Sequence, residues 1–572
     1  MHPFFSLLRI MPLLAVLSVQ AQEPVLDVMG ASDSLAANVR SHVRLPELDC
    51  DASIQRLNRN LAGVRESVVR AGRALGYYQL LHDIQFQTRE ECWALSIRLE
   101  PGEPVRVGNV AVNVQAQPEL FASVVANSPL REGDQLNQAL YERIKTNLSA
   151  TAVEYGYFDA RFETSELRLD LVNNRADIAL DFNPGQRYRF GEVEIEQPDA
   201  LSPGFIRRFI AIEPGDYYLS ETLLGARNSL NASNYFNSVS VSPALQSASE
   251  GRVPVSVRLA MRPRHVYSSG VGVTTDIGPR VRFDYQDRYS NERGHSVLGN
   301  LGLSPVQQNL DIGYRLPLAN PATESLEISG GFFVQDTESF TSETTKLAAT
   351  YSFINAHAWR QNYFVNLQHD DFTVADDTQV ADLLIAGTSL NRTRADDALY
   401  PTRGWRLFAE LKGASDAVLS SQSFLQLNLN GKLIEPVGRG RVLMRFDAGT
   451  SLVDDVGELP ASIQYFSGGD QSVRGYKYQS LGPLDENGQV SGGKHKLSLG
   501  IEYDFQVASA WKLAAFVDAG NSFNRLSDLK LNRGVGLGVR WLSPIGPIRV
   551  DLASPLDNDN SLRLHITMGP DL

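Results

Sequence analysis

From Tyr267 to the end of the chain, hydrophobic and polar residues alternate with a period of two. In Leu310-Asp311-Ile312-Gly313-Tyr314-Arg315-Leu316 the even positions are apolar and the odd ones polar or small. Leu425-Gln426-Leu427-Asn428-Leu429-Asn430 alternates in the same way. Successive side chains of a strand point to opposite faces, so each segment offers one face to an apolar medium and the other to water. A soluble sandwich alternates too, but here lysines and arginines stand opposite apolar stripes over many successive segments, as lipid on one side and water on the other require. At ~10 residues per spanning strand, with turns and loops, this length holds roughly sixteen strands. Closure into a barrel follows, because a sheet edge open to lipid leaves backbone groups unsatisfied at several kcal/mol each.

Before Arg262-Pro263-Arg264 the pattern is different and repeats at about eighty residues. Leu99-Glu100-Pro101-Gly102-Glu103-Pro104-Val105-Arg106-Val107-Gly108 returns as Phe182-Asn183-Pro184-Gly185-Gln186-Arg187-Tyr188-Arg189-Phe190-Gly191. A second marker, Gly76-Tyr77-Tyr78, returns as Gly156-Tyr157-Phe158 and more loosely as Asn234-Tyr235-Phe236. Three copies of one unit are implied. Each reads strand, helix, helix, strand, strand: Val105 to Val114 alternates, Leu136 to Ala152 has helical spacing, and Leu167 to Phe182 carries two strand-like runs. Helices on one face of a small sheet give an α+β module, whose aromatic markers are read as closing its core.

Composition narrows the class. The 572 residues suggest roughly three or four domains. The net charge of −13, without a basic stripe interleaved with aromatics, argues against nucleic acid as a partner. Residues 1–21 read as a secretory signal, with His2 and Arg9 ahead of an apolar run from Ile10 to Val19 and Val19-Gln20-Ala21 as the cleavage site, so the mature chain is expected to begin near Gln22. No segment has the ~18 consecutive apolar residues of a spanning helix. The two cysteines, Cys50 and Cys92, are expected to pair in the oxidising compartment the signal implies, closing a loop worth ~3 kcal/mol. Two thiols without a nearby histidine pair fall short of a zinc site, so no metal is expected.

An enzyme is not expected either. The sequence has no His-Glu-x-x-His, no Gly-x-Ser-x-Gly and no phosphate-binding loop, and its nine histidines do not cluster with carboxylates at ligand spacing. No cofactor is called for. The acidic pairs Asp370-Asp371, Asp376-Asp377 and Asp396-Asp397 read as solvated loop charge. Tyr400-Pro401-Thr402-Arg403-Gly404-Trp405 reads as a hairpin connection, with Trp405 at a membrane interface.

One stretch stands apart. Gly468-Gly469-Asp470-Gln471-Ser472-Val473-Arg474-Gly475-Tyr476 sets a lone arginine between turn glycines and an aromatic, and Arg474 needs an acidic partner. Either Glu502 or Asp518, both in strand-like text downstream, suits it. Val473-Arg474-Gly475-Tyr476, then Phe516-Val517-Asp518-Ala519-Gly520, then the run from Gly534 to Asp551 together resemble the BamA/TamA superfamily of outer-membrane assembly barrels, and in order and spacing its TamA branch most. The repeated units likewise resemble POTRA domains.

The resemblance implies three periplasmic modules, 22–102, 103–185 and 186–263, ahead of a transmembrane antiparallel β-barrel of sixteen strands over 264–572. It implies a loop folded into the lumen, with Val473, Arg474, Gly475 and Tyr476 meeting a wall that carries Glu502, Phe516, Asp518 and Gly520. It further implies a lateral gate between the first strand, Tyr267 to Thr275, and the last, Ser561 to Gly569. Both are weak: Gly270 and Gly272 lack side chains to pack, and Met568-Gly569-Pro570 interrupts the ladder. The implied partners are the lipid bilayer, unfolded outer-membrane protein clients such as autotransporters, and a TamB-like inner-membrane-anchored protein at module 1, with sheet edges that accept added strands. A two-partner secretion transporter and a passive porin are the alternatives.

Overall fold

The computed structural model describes residues 23–90, 92–196, 200–544, 546–557, 561–569, 571 and 572. The signal segment and Pro570 therefore lie outside the described residues. The chain divides into two compact units; the first two modules lie in the first, the barrel in the second, and the third module contributes to both.

Module one contains β1 (Val25–Met29), α1 (Asp33–His42), α2 (Ile54–Asn58), α3 (Leu61–Ala74), β2 (Leu81–Thr88) and β3 (Trp93–Glu100). Helix α1 starts where the Ser32 side chain accepts from the Leu35 N–H, satisfying one of the free donors of the first turn. In α3 the buried residues Val64, Val68 and Ala71 recur at helical spacing and face Leu35, Val39, Leu57 and Trp93 in the core. A disulfide joins Cys50, between α1 and α2, to Cys92 at the start of β3.

Module two has β4 (Arg106–Val114), α4 (Pro118–Ala126), α5 (Gln138–Glu154), β5 (Arg161–Asp170) and β6 (Arg175–Asn183). Module three has β7 (Arg189–Glu196), α6 (Pro203–Arg207), α7 (Ser220–Ala232), β8 (Phe236–Pro243) and β9 (Arg252–Met261). The three sheets have one order, β1-β3-β2, β4-β6-β5 and β7-β9-β8, so the last strand of each module is central.

The repeated markers do more than close cores. The Gly76 carbonyl accepts from the Val105 N–H, the first residue of the next module's sheet region, at 2.9 Å, and the Gly156 carbonyl accepts from Tyr188 N–H at the same distance. Gly156 has a φ of +81°, and a Cβ there would stand 2.7 Å from that of Tyr218, so glycine is required twice over. The third marker turns to the barrel: Tyr235 donates its hydroxyl to the Gly294 carbonyl at 2.6 Å. Burial pushes that phenol up to about 12, which keeps it a donor.

The barrel is one antiparallel sheet of sixteen strands in sequential order. They are β10 (His265–Thr274), β11 (Gly278–Asp287), β12 (Ser296–Leu303), β13 (Gln307–Pro317), β14 (Glu324–Asp336), β15 (Phe340–Ile354), β16 (Arg360–Val374) and β17 (Asp377–Ala395). The second half continues with β18 (Gly404–Ala414), β19 (Phe424–Val437), β20 (Gly440–Leu452), β21 (His495–Ala508), β22 (Trp511–Phe523), β23 (Asn532–Ser543), β24 (Gly546–Pro555) and β25 (Arg563–Met568). Leu310, Ile312 and Tyr314 on β13 and Leu425, Leu427 and Leu429 on β19 are exposed on the outer wall, while Gln426 is buried inside. That wall is a lipid-facing surface, since water would penalise so continuous an apolar belt. No helix among the described residues is long and apolar enough to cross a membrane; the crossing is made by strands.

Trp405 sits with Trp359, ring centroids 6.0 Å apart, and Arg392 lies over both rings, at the end of the wall where the chain enters the barrel. Residues 396–403 form the β17–β18 connection. Asp370, by contrast, is not solvated loop charge. It lies on β16, fully buried, accepting from Thr344 Oγ1, from Gln368 Nε2 at 2.7 Å and from Ser462 Oγ at 3.3 Å. Its place on an inward-facing strand position, beneath a loop the sequence could not place, is what the acidic-pair reading missed.

Candidate functional site

Residues 453–494 connect β20 to β21 on the side away from His265 and return into the lumen. Polar wall residues hold the descending part: Gln426 Nε2 donates to the Ile463 carbonyl at 2.9 Å, and Tyr465 donates to Asn428 Oδ1 at 2.6 Å. Lys477 pairs with Glu338 at 2.5 Å on the other flank. The tip carries Val473, fully buried and clustered with Tyr476 and Leu481. Gly475 turns the chain at a φ of +98°, a conformation that L side chains rarely adopt.

Arg474, buried to 5% exposure, spends its donors on three strands. Nε donates to Asp518 Oδ2 on β22 at 2.8 Å, while Nη1 donates to Glu502 Oε2 on β21 at 2.7 Å and to Asp551 Oδ2 on β24 at 2.9 Å. The Arg474 backbone N–H adds a bond to Asp518 Oδ2 at 3.2 Å. The guanidinium carbon lies 3.4 Å from the centre of the Phe516 ring, which supports it from the wall by a cation–π contact. Two more cations complete the network. Arg540 on β23 bonds Glu502 Oε1 at 2.7 Å and Asp551 Oδ1 at 2.5 Å, and Arg445 on β20 pairs with Asp518 at 2.7 Å. Three guanidinium groups thus face three carboxylates, and desolvated charges of this kind persist only when paired and hydrogen-bonded.

The sequence offered Glu502 or Asp518 for Arg474; the fold uses both, because a guanidinium has five donors in a planar fork. Sequence reasoning missed Asp551, Arg540 and Arg445. The first two lie in the Gly534-to-Asp551 run already singled out, and the pairing of Gly538 with Asp551 across β23 and β24 brings them to the same inner face.

Small wall residues make the seat. A Cβ on Gly520 would stand 2.9 Å from Val473 Cγ2, and one on Gly534 would overlap the Arg474 carbonyl oxygen. Gly534→Ala is therefore expected to unseat the loop tip at a cost of about 1–3 kcal/mol while the strands stay paired. Limited proteolysis of residues 453–494 in folded barrels is the check: faster cleavage is expected, and unchanged protection would refute the seat.

The first and last strands do not continue the ladder into each other among the described residues. Gly270, Gly272 and Gly569, the glycines expected at a gate, are not brought together by hydrogen bonds among the described residues. Gly270 faces open space, and Gly569 has nothing within reach of a side chain. The strands meet instead at Thr275 and Ile566, where Thr275 N–H donates to the Ile566 carbonyl at 3.3 Å and Ile566 N–H donates to Thr275 Oγ1 at 3.1 Å. Strand β25, Arg563–Met568, has six residues and is shorter than every other strand of the barrel. Such a seam has few bonds to break.

The histidine reading also changes in three dimensions, since His565 on β25 bonds Asp470 at 2.5 Å although 95 residues separate them. The site has the shape of a clamp: a lumenal loop pinned by buried ion pairs beside a seam that is hardly zipped.

Residues 291–571 match the Omp85 superfamily domain, residues 25–101 match POTRA domain TamA domain 1, and residues 188–261 match the surface antigen variable number repeat of the POTRA type. The chain is 21% identical over 446 residues to the outer membrane protein assembly factor BamA of Nitratidesulfovibrio vulgaris, covering 74% of this chain and 56% of that one. It is 21% identical over 557 residues to BamA of Neisseria meningitidis serogroup B, covering 84% of this chain and 68% of that one. In fold it is similar to the crystal structure of Haemophilus ducreyi BamA lacking POTRA domains 1–3, with a TM-score of 0.69 and 16% identity over 81% of this chain and 99% of that one.

Proposed function

Because the chain carries an Omp85 superfamily barrel behind POTRA domains, we propose that it is the outer-membrane component of a translocation and assembly module, which assists insertion or secretion of outer-membrane proteins such as autotransporters through a lateral gate. The barrel lies in the outer membrane with its POTRA domains in the periplasm. The observation that carries the reading is the seam between β10 and β25, joined at Thr275 and Ile566 rather than by a full ladder. An incoming strand finds unpaired backbone groups there, and its own hydrogen bonding and burial in lipid supply the driving force without a fuel molecule.

The TamA-type match of the first module supports the finer assignment and a TamB-like inner-membrane-anchored partner at that module. Its sheet ends in β2 and β1, and an edge strand such as Leu81–Thr88 takes an added chain by main-chain bonding that asks little of the partner's sequence. Two features weigh against passage through the lumen, by which a two-partner secretion transporter or a porin works: the loop of residues 453–494 is bonded to the inner wall, and three modules precede the barrel.

Reconstitution tests the proposal. The full chain in lipid vesicles is expected to speed the appearance of protease-resistant client barrels from unfolded polypeptide on the order of tenfold or more over empty vesicles. Equal rates, or client delivered into the vesicle interior without insertion, would reject it.

A further inference from the structure

The loop motif explains how the lumen is braced but leaves Asp470, four residues before Arg474, and the buried His565 without a role. We propose that Asp470 is the positioning residue that latches the seam, so that the lumenal loop, more than the two strands themselves, holds β10 to β25. Asp470 is 6% exposed and His565 2%. The Asp470 carboxylate accepts from Thr275 Oγ1 at 3.1 Å and from His565 Nδ1 at 2.5 Å, and its backbone N–H donates to Asp276 Oδ2 at 2.7 Å. One loop residue thereby touches the first hairpin twice and the last strand once. The Thr275 hydroxyl is a relay, accepting from Ile566 N–H while donating to Asp470.

Chemistry fixes the histidine. Gly475 N–H donates to His565 Nε2 at 2.9 Å, and a backbone N–H is only ever a donor, so Nε2 is bare and the ring proton sits on Nδ1, directed at Asp470. Asp276, Asp470 and His565 come within 4.8 Å of one another, yet both ring nitrogens are already engaged, so the cluster is a hydrogen-bonded latch and not a metal site. Gly475 follows Arg474 directly, so the ion network beneath the loop and the latch above it share one short segment. Loop docking and seam closure are then reciprocally coupled: whatever frees one loosens the other.

The latch also has a pH signature. Asp276 lies in the turn between β10 and β11, and burial first, then the charge of Asp470, pushes its carboxyl up to about 7. The titratable groups facing it are Asp470 and Tyr478 from the loop and Arg563 and His565 from the last strand. Its pKa in the fold lies above the ordinary 3.8, so its contribution to closure is complete below about 4 and is lost as pH rises through about 7.

The inference deepens the gate reading, and its test is separable from client insertion. Spin labels on Val271 and Leu564, both exposed on the outer wall on either side of the seam, report the seam distance in the full chain held in nanodiscs. Asp470→Ala is expected to raise the open population about tenfold, and Asp470→Asn, which keeps one acceptor oxygen for Thr275 Oγ1 and His565 Nδ1, to restore most of the closure. Thr275→Val substitutes no loop residue but removes both the bond to Asp470 and the one from Ile566 N–H, stands in if Asp470→Ala fails to fold, and is expected to open the seam too. The parent protein is expected to open as pH rises through about 7 and Asp276→Asn to be insensitive over that range. Unchanged seam distances in both Asp470→Ala and Thr275→Val would overturn the latch. An opened seam with client insertion unaltered would leave the latch standing and overturn the lateral-gate reading instead.

Discussion

Arg474→Ala is expected to release the lumenal loop while leaving the barrel embedded, and to lower client assembly. The substitution removes one cation from a balanced set of three, leaving Glu502, Asp518 and Asp551 to share Arg540 and Arg445. Breaking a buried pair by deleting one partner costs about 3–5 kcal/mol, because the other charge stays desolvated without compensation. That is roughly two to three and a half orders of magnitude in the docked population, at about 1.4 kcal/mol per factor of ten. The cost falls on the loop and not on the fold, since the ladders from β10 to β25 involve none of the Arg474 side chain.

Arg474→Lys is expected to recover little. A point charge cannot meet three carboxylates on three strands and stack on the Phe516 ring at once. Proteolysis of the loop, set beside heat-modifiability of the barrel, separates the two effects. Normal client assembly with a protected loop in Arg474→Ala would contradict the clamp.

Much of the barrel was legible because lipid and water impose opposite demands on the two faces of every strand. Leu310-Asp311-Ile312 and Leu425-Gln426-Leu427 declare that alternation residue by residue, and those leucines do face outward. The eighty-residue repeat was equally open to reading, although its glycines serve the joints: Gly76 and Gly156 offer carbonyls to the following module, which no periodicity reveals. What stayed hidden depends on register. Arg540 and Asp551 become partners only once β23 and β24 pair around Gly538 and Asp551, and Arg445 joins only once β20 flanks β21.

The seam between the first and last strands shows the same limit. Weak glycines at 270, 272 and 569 are visible in a sequence, whereas the contact at Thr275 and Ile566 requires two strands at opposite ends of the barrel to meet. The burial of Asp370 is hidden from the sequence for a related reason, because its partner Ser462 comes from a loop that descends into the lumen.

If clients pass through the β10–β25 seam, a covalent lock across it gives the second large effect. Thr275 and Ile566 fix the antiparallel register, so their neighbours Thr274 and Thr567 are the positions for a cysteine pair. The native Cys50–Cys92 bridge lies in module one, apart from the barrel, and a Cys50→Ser, Cys92→Ser parent controls for its reduction. The most direct measurement is client barrel formation in vesicles by this locked protein, before and after reduction. Oxidation is expected to bring assembly down to the rate of empty vesicles, and reduction to restore it. A locked seam that still assembles clients at the parent rate would contradict passage through the seam.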